Sequence, residues 1–178
     1  MTGLERLASQ IEAAGFACTR CGDCCRGAGE DGSLVMVSRD EARAVAEATS
    51  IPFDEAVVPY PGAVEVRGRA CRLGWALARE NGGACRFHGK DGCAVYAARP
   101  WICRTYPFML DGDRLAVSEC PGLGRPISRA EALALAADLL ARRAAEEDEA
   151  VRVRRVAATA ALPGDGTVVL DAEGAWRA

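Results

Sequence analysis

The chain has 178 residues, of which 50% are apolar and 26% are charged, a balance typical of globular proteins with one buried core. Its formal net charge of −3 argues against a nucleic-acid-binding or membrane-surface protein, since both usually carry an excess of basic residues. Nine cysteines accompany a single histidine, so any metal chemistry must rest on sulfur ligands.

The amino-terminal segment predicts a helix. Thr2 and Glu5 have the spacing of a capping box. An apolar stripe at helical spacing follows and ends before Gly15; it consists of Leu4, Leu7 and Ile11. The segment lacks the apolar region of a secretory signal, and no apolar run reaches the length of a membrane span. We therefore expect a cytoplasmic protein, in which a cysteine cluster indicates metal or redox chemistry rather than disulfides.

Four cysteines lie within eight consecutive positions after this helix: Cys18, Cys21, Cys24 and Cys25. Each C-x-x-C step lets one backbone turn direct two sulfurs to one point. Gly22 permits a left-handed turn that can aim amides at the sulfurs. Because neighbouring side chains of an extended chain point to opposite faces, we expect Cys24 and Cys25 to serve separate sites or different metals of one cluster.

The next segment predicts short elements separated by turns. In order, these are a Gly-rich loop over 27–32, a strand over 34–37, a helix over 39–48 with a capping box at Ser38 and Glu41, and a short helix begun by Pro52 that carries Phe53 and Val57.

The middle of the chain predicts strands and turns. Strands are expected over 63–66 and 70–77, and a hairpin turn at Asn81-Gly82-Gly83 leads into a strand over 84–87. A turn at Asp91-Gly92 precedes Cys93, and Pro100 begins a helical turn that carries Cys103. A turn at Asp111-Gly112-Asp113 precedes a strand over 115–118.

The C-terminal part predicts one long helix. A third capping box at Ser128 and Glu131 begins an Ala/Leu-rich helix that reaches Ala145 or beyond. Pro163-Gly164 ends the helical tail, and a last strand is expected over 167–170. Together these elements predict a small, irregular α+β domain with flanking helices around a turn-rich centre. We expect a single domain over 1–178, with a cysteine-rich core over 16–124 and a helical extension over 128–160.

The cysteine spacing divides the thiols into two sets. Cys18, Cys21 and Cys24 match the three-cysteine run that surrounds a cubane iron–sulfur cluster, and such runs often take a fourth ligand from a remote Cys-Pro, here Cys120-Pro121. The remaining thiols beside turns or helix starts form a possible second set: Cys25, Cys85, Cys93 and Cys103. Cys71 belongs to neither set.

The ordered motifs resemble the YkgJ-type cysteine-cluster proteins, a CxxCxxCC family associated with zinc or iron chelation. The matching segments are Phe16-x-Cys18-x-x-Cys21-Gly22-x-Cys24-Cys25-Arg26, Cys85-x-Phe87, Gly92-Cys93-x-Val95-Tyr96, Arg99-Pro100-x-x-Cys103-Arg104-x-Tyr106-Pro107-Phe108 and Cys120-Pro121-Gly122-x-Gly124. The resemblance implies metal binding by the same eight cysteines and leaves Cys71 as an ordinary thiol. A related cluster occurs in flagellin lysine-N-methylase, which suggests cofactor-assisted protein modification, although nothing else in this shorter chain matches an enzyme.

Three further side chains are candidate cofactor contacts. Arg99 and Arg104 flank Cys103 and could offset the charge of a thiolate cluster, or could pair with carboxylates instead. Tyr106 could pack around the site. His88 follows Cys85 closely and could be a ligand or proton carrier, but a surface position beside a turn is the expected one.

Cysteine thiolates are soft ligands that suit both zinc and iron–sulfur clusters, so the ligand type does not distinguish between them. The three-cysteine run with a distant Cys-Pro favours an iron–sulfur cluster with a redox, electron-transfer or modification role. The alternatives are a zinc-stabilised interaction module and a metal storage or delivery protein. Metal ions are the expected partners, with neither nucleic acid nor membrane expected.

Overall fold

The structure, a computed structural model, describes residues 2–27, 34–80 and 83–178. Its helices are α1 (Gly3–Ala14), α2 (Asp23–Arg26), α3 (Arg39–Thr49), α4 (Phe53–Ala56), α5 (Trp101–Thr105) and α6 (Arg129–Thr159), with a 3-10 turn at Tyr96–Ala98. Its strands are β1 (Met36–Val37), β2 (Val57–Pro59), β3 (Ala63–Val66), β4 (Arg69–Leu73), β5 (Trp75–Leu77), β6 (His88–Gly89), β7 (Gly92–Cys93), β8 (Phe108–Asp111), β9 (Arg114–Val117), β10 (Val168–Leu170) and β11 (Ala175–Arg177). The predicted α+β class with a long C-terminal helix is confirmed.

The three long helices begin where their capping boxes predict. At Thr2, Ser38 and Ser128 the side-chain hydroxyl accepts a hydrogen bond from the backbone of the glutamate three residues later, and that glutamate returns one to the cap backbone. These reciprocal bonds satisfy amide groups that a helix start leaves unpaired. In α6 the helix continues to Thr159, since neither glycine nor proline interrupts the sequence before Pro163.

The strands form two small sheets and two hairpins. One sheet has the order β1-β5-β2 and is antiparallel throughout. The other has the order β11-β10-β4-β3, with β10 parallel to β4 and the other pairs antiparallel. The hairpins are β6-β7 and β8-β9.

Several predicted boundaries were wrong for local reasons. The single strand expected over 70–77 is divided into β4 and β5, because Gly74 takes a left-handed φ of +72°. Val57 begins β2 instead of continuing the Pro52 helix, since it pairs with Leu77 of β5. Between Ala84 and Phe87 there is one bridge, from Cys85 to Arg79, in place of the predicted strand.

Two predicted turns fall partly outside the described residues. Of the loop expected over 27–32, only Gly27 is described. Of the turn at Asn81-Gly82-Gly83, only Gly83 is described, and its N–H donates to the carbonyl of Glu80 at 2.8 Å. Within the described part of the chain, no helix has both the length and the apolar character needed to cross a membrane.

The cores on either side of the cysteine-rich segments hold them in place. One core surrounds Trp75 and Leu77, and Cys85 and Cys93 pack against its edge. A second joins α1 to α6 around Phe108. Phe16, two residues before Cys18, meets the Phe108 ring edge-to-face with centroids 5.6 Å apart. The cysteines are therefore anchored by apolar contacts on both sides.

The chain end is attached to α3 by a buried ion pair. Asp171 is 1% exposed and accepts hydrogen bonds from the Arg39 guanidinium at 3.0 Å and the Trp75 indole at 2.8 Å. The Arg39 guanidinium also lies 3.8 Å from the centroid of the Trp176 ring. This cluster joins the two sheets, since Trp75 lies on β5 and Trp176 on β11.

Candidate metal centre

A cavity of about 990 Å³ opens among α2, the β6-β7 hairpin, α5 and the segment around Cys120. All eight cysteines predicted as metal ligands line it: Cys18, Cys21, Cys24, Cys25, Cys85, Cys93, Cys103 and Cys120. The nine cysteines of the chain are free thiols. Among the described residues, no three Cys, His, Asp or Glu side chains form a group that could hold a metal ion. The thiols therefore stand around a shared space, and they do not converge on one point.

Cys71 lies apart from this cavity. It is 2% exposed on β4 and packs in an apolar cluster with Val168 and Leu170. The structure thus separates it from the eight cavity thiols, and its environment is that of a small buried apolar side chain.

The paired cysteines lie on a helical turn, so the expectation of an extended backbone at Cys24 and Cys25 was wrong. Gly22, with φ +77°, forms the amino-terminal cap of α2. Its carbonyl accepts hydrogen bonds from the amides of Cys25 at 2.9 Å and Arg26 at 3.0 Å. The helical turn brings the two sulfurs to 3.9 Å from each other, so both can face the same cavity.

The imidazole of His88 packs directly on the first cysteine loop. A Cβ atom added to Gly22 would overlap Nε2 of His88, and His88 itself lines the cavity. Gly22 is thus required for two reasons, its left-handed backbone and this close approach. The sequence predicts the first reason but not the second, because residues 22 and 88 meet only in the folded chain.

Backbone pairing brings Cys18 and Cys120 to the same wall. Phe16 forms a β-bridge with Leu123, and the Ala17 amide donates to the carbonyl of Gly122 at 3.0 Å. A Cβ on Gly122 would overlap the Ala17 carbonyl oxygen, so only glycine permits this pairing. The Gly122 amide also donates to the sulfur of Cys120 at 3.4 Å.

Further backbone contacts hold the segments that carry Cys85 and Cys93. The Cys85 amide donates to the carbonyl of Cys25 at 2.7 Å. In the β6-β7 hairpin His88 lies across from Cys93, and Cys103 follows on α5. Segments far apart in sequence are thereby fixed around α2.

Burial and neighbouring thiols raise the pKa values of several cavity cysteines, and Cys24 acts on members of both expected sets. Burial raises the pKa of the Cys120 thiol, and the charges of Cys21, Cys18 and Cys24 raise it further. Burial raises the pKa of Cys103 to about 12, with Cys85 among the neighbours that add to the shift.

The two adjacent thiols have opposite shifts. The pKa of Cys24 is raised by its hydrogen bond with Cys25, in which either sulfur can be the donor, and burial raises it further. The same bond lowers the pKa of Cys25, although burial and the charges of Cys85, Cys93 and Cys103 oppose this effect.

The three predicted cofactor contacts occupy different positions. Arg99 and Tyr106 line the cavity. Arg99 lies 3.6 Å from the centroid of the Tyr96 ring, and the Tyr106 hydroxyl donates to the carbonyl of Glu119 at 2.5 Å. Arg104 is not among the lining side chains; its guanidinium lies over the Trp101 ring at 4.9 Å.

Sequence reasoning missed two cations that line the cavity, Arg20 and Arg142. Arg20 stands between Cys18 and Cys21 with a left-handed φ of +54°, and its guanidinium lies 4.5 Å from the centroid of the Tyr96 ring. Its position inside the motif could have suggested it. For Arg142, on α6, no local signal was available.

Comparison with known proteins identifies a family for the cysteine-rich segment. The model of the family described as "CxxCxxCC: Putative zinc- or iron-chelating domain" matches residues 17–121, which is more than half of the chain. Neither the curated proteins nor the solved structures include a match. Helix α6 lies beyond the matched residues.

Proposed function

The chain belongs to the CxxCxxCC family of zinc- or iron-chelating domains, and from this premise we propose that it holds its metal as iron–sulfur and serves a redox role. That role is electron transfer, redox sensing or cofactor-assisted modification. The observation that carries the proposal is the cavity of about 990 Å³ with eight thiols on its walls. Thiolates are the protein ligands of iron–sulfur clusters, and a cavity of this size has room for more than one ion.

We assign the eight thiols to two ligand sets. The first is Cys18, Cys21, Cys24 and Cys120, and the second is Cys25, Cys85, Cys93 and Cys103. The pairing of Ala17 with Gly122 supports the first set. The hydrogen bond from the Cys85 amide to Cys25 supports the second.

Iron–sulfur clusters bound by these thiols would supply one-electron transfer. The chain itself contributes fixed charges and donors around them. The Gly122 amide donates to the Cys120 sulfur. The positive charge of Arg99 partly offsets the raised pKa values of the Cys24 and Cys103 thiols. Such contacts favour thiolates over thiols and tune a redox potential.

Elemental analysis of protein purified without oxygen tests the proposal. We expect iron and acid-labile sulfide together with visible charge-transfer absorption. Colourless protein that holds zinc alone would contradict it. Separate Cys21→Ser and Cys85→Ser variants test the two sets, since each should remove the metal of one set and leave the other. Loss of all metal from both variants would instead indicate one shared site.

A zinc-stabilised interaction module is a second candidate, favoured by one distance. The sulfurs of Cys24 and Cys25 are 3.9 Å apart, close to the separation of about 3.8 Å that tetrahedral zinc with Zn–S bonds of about 2.3 Å requires. If zinc is the metal, it would stabilise the fold outright.

A storage or delivery role is favoured by the exposure of Cys18 and Cys24, because exposed thiolates exchange metal readily. Transfer of the metal to a chelator under mild conditions would support delivery. Retention under the same conditions would support a structural or redox centre.

A further inference from the structure

Among the described residues, two cavity-lining side chains lie outside the family-matched segment 17–121: Phe16 directly before it, and Arg142, which follows it by 21 positions. Arg142 lies on α6, and only 13% of its side chain is exposed. Burying a guanidinium costs free energy unless nearby negative charge or hydrogen bonds compensate. Its position beside eight thiols therefore calls for a physical reason.

Hydrogen bonds fix the Arg142 guanidinium next to α5. One nitrogen, Nη1, donates to the Thr105 hydroxyl at 3.0 Å. Thr105 is fully buried, and its hydroxyl donates in turn to the Trp101 carbonyl at 2.9 Å. The same short helix carries Cys103. Arg142 thus holds a defined position relative to a metal-ligand candidate.

Its carboxylate partner is on the solvent side. Nε donates to Glu146 at 2.7 Å, and the Glu146 side chain is 58% exposed. Water screens such a partner strongly, whereas the Arg142 side chain itself is largely withdrawn from solvent, where screening is weaker. The positive charge of Arg142 is therefore available to the cavity.

The cavity holds more fixed positive than negative charge besides its thiols. Arg20, Arg99 and Arg142 line it, against the carboxylates Asp23 and Glu119. Asp23 is itself paired with Arg26 at 2.6 Å. An excess of guanidinium groups is the arrangement expected around thiolates that become permanently charged when they bind metal.

We propose that Arg142 supplies, from the C-terminal helix, a positive charge that stabilises the thiolate-bound metal and sets its reduction potential. The proposal rests on the proposed iron–sulfur function for the potential, but the charge effect applies to any thiolate-bound metal. It makes α6 part of the metal centre of this chain, although α6 lies outside the family segment.

The next residue along α6 provides a matched control. Arg143 donates to Asp113 at 2.9 Å and to the carbonyl of Gly112 at 3.3 Å, so it contacts the β8-β9 turn. It is not among the cavity-lining residues. Arg143→Gln removes the same charge from the same helix without changing the cavity.

The test compares Arg142→Gln, Arg142→Lys and Arg143→Gln in full-length protein prepared without oxygen. Because reduction adds negative charge, loss of a nearby positive charge should make the potential more negative. We expect Arg142→Gln to lower the equilibrium constant of one-electron reduction about tenfold, equivalent to about 59 mV. Arg142→Lys should restore most of the difference, and Arg143→Gln should match the unaltered protein.

The possible outcomes separate this inference from the proposed function. If iron and sulfide are present but the two glutamine variants have the same potential, the role of Arg142 is wrong and the redox proposal stands. If the protein holds zinc, the redox proposal is wrong. Chelator competition then tests the charge, since Arg142→Gln should weaken zinc binding about tenfold and Arg143→Gln should not. Circular dichroism of each variant confirms that it is folded.

Discussion

At the scale of single residues, close backbone approach decides much of the metal centre. Gly22 accommodates the His88 imidazole, and Gly122 accommodates the Ala17 carbonyl. Neither position leaves room for a Cβ atom. Each glycine also stands within or beside a cysteine motif, so its small size determines where the neighbouring sulfurs lie.

We expect Gly22→Ala to lower the free energy of unfolding and the metal content together. The left-handed backbone alone costs about 1–2 kcal/mol for a residue with a Cβ, and overlap with His88 adds to this. Urea denaturation and metal analysis measure both effects. Gly164→Ala is the control, since a Cβ there meets no atom within 4 Å.

A double-mutant cycle isolates the contact with His88. The double variant Gly22→Ala/His88→Ala should recover the part of the loss that comes from steric overlap, leaving the backbone cost. Strict additivity of the two substitutions would show that the imidazole does not press on this loop.

Cys71→Ser and Cys21→Ser should affect different properties. Cys71 is 2% exposed in an apolar cluster, so a buried hydroxyl there should cost about 1–3 kcal/mol of stability while metal content stays unchanged. Cys21→Ser should lose metal. Denaturation curves measure the stability of both variants, and metal analysis measures their metal content. Metal loss from Cys71→Ser would contradict the separation of Cys71 from the eight cavity thiols.

At the scale of elements, the pieces that carry the cysteines are too short to be stable alone. Helix α2 has 4 residues, α5 has 5, and β6 and β7 have 2 each. Isolated helices and hairpins of this length do not persist in water. Their conformations depend on the adjoining cores and, in the metal-bound protein, on the metal itself.

The ion pair between α3 and the C-terminal segment gives a prediction at this scale. Asp171→Asn removes the buried carboxylate from the Arg39 guanidinium and leaves it the partly exposed Glu173, 3.7 Å from Nε. Breaking a buried pair costs about 3–5 kcal/mol. Asp40→Asn is the control, because Asp40 is 78% exposed in its pair with Arg43 and such pairs contribute about 0–1 kcal/mol. Urea denaturation of the unaltered protein, Asp171→Asn and Asp40→Asn gives the free energies of unfolding to be compared.

The stabilising effect of Asp171 should depend on pH. Burial opposes its ionisation, but hydrogen bonds from Trp75, the Glu173 amide and Arg39 keep its pKa below the ordinary 3.8. A lowered pKa in the folded state stabilises the fold above pH 3.8, and this stabilisation is lost as the pH falls through the folded pKa. The difference between Asp171→Asn and the unaltered protein should therefore narrow in acid; a constant difference would contradict the ionised pair.

At the scale of the whole molecule, the cavity lies where the two larger cores meet. One core holds Cys85 and Cys93 at its edge, and the other holds Phe16 beside the first cysteine loop. Helix α6 completes the wall with Arg142. In the proposed assignment, metal binding joins segments from most of the chain, and removal of the metal should loosen all of them together.

Metal affinity should rise with pH across the neutral range. Burial raises the pKa of Cys103 to about 12 and also raises those of Cys85 and Cys120. Under the proposed ligand assignment these groups bind metal as thiolates, so binding releases their protons, and affinity should gain about tenfold per pH unit for each proton released. Chelator competition at several pH values, with proton release followed by an indicator dye, measures this. Affinity that does not change with pH would mean that the thiols are already ionised.

The sequence alone determined the features that depend on neighbours along the chain. Capping requires a hydroxyl and a glutamate three residues apart, and all three capping boxes formed as predicted. The left-handed turn at Gly22 is equally local. The cysteine spacing identified the family, because its short motifs follow one another in order along the sequence.

Only the tertiary structure decided which distant groups meet. The contact of His88 with Gly22 and the entry of Arg142 into the cavity join segments with no shared local pattern. Local hydrogen bonds fix the conformation of a few adjacent residues, whereas contacts between remote segments follow from how the apolar cores pack, and that packing involves the whole chain at once.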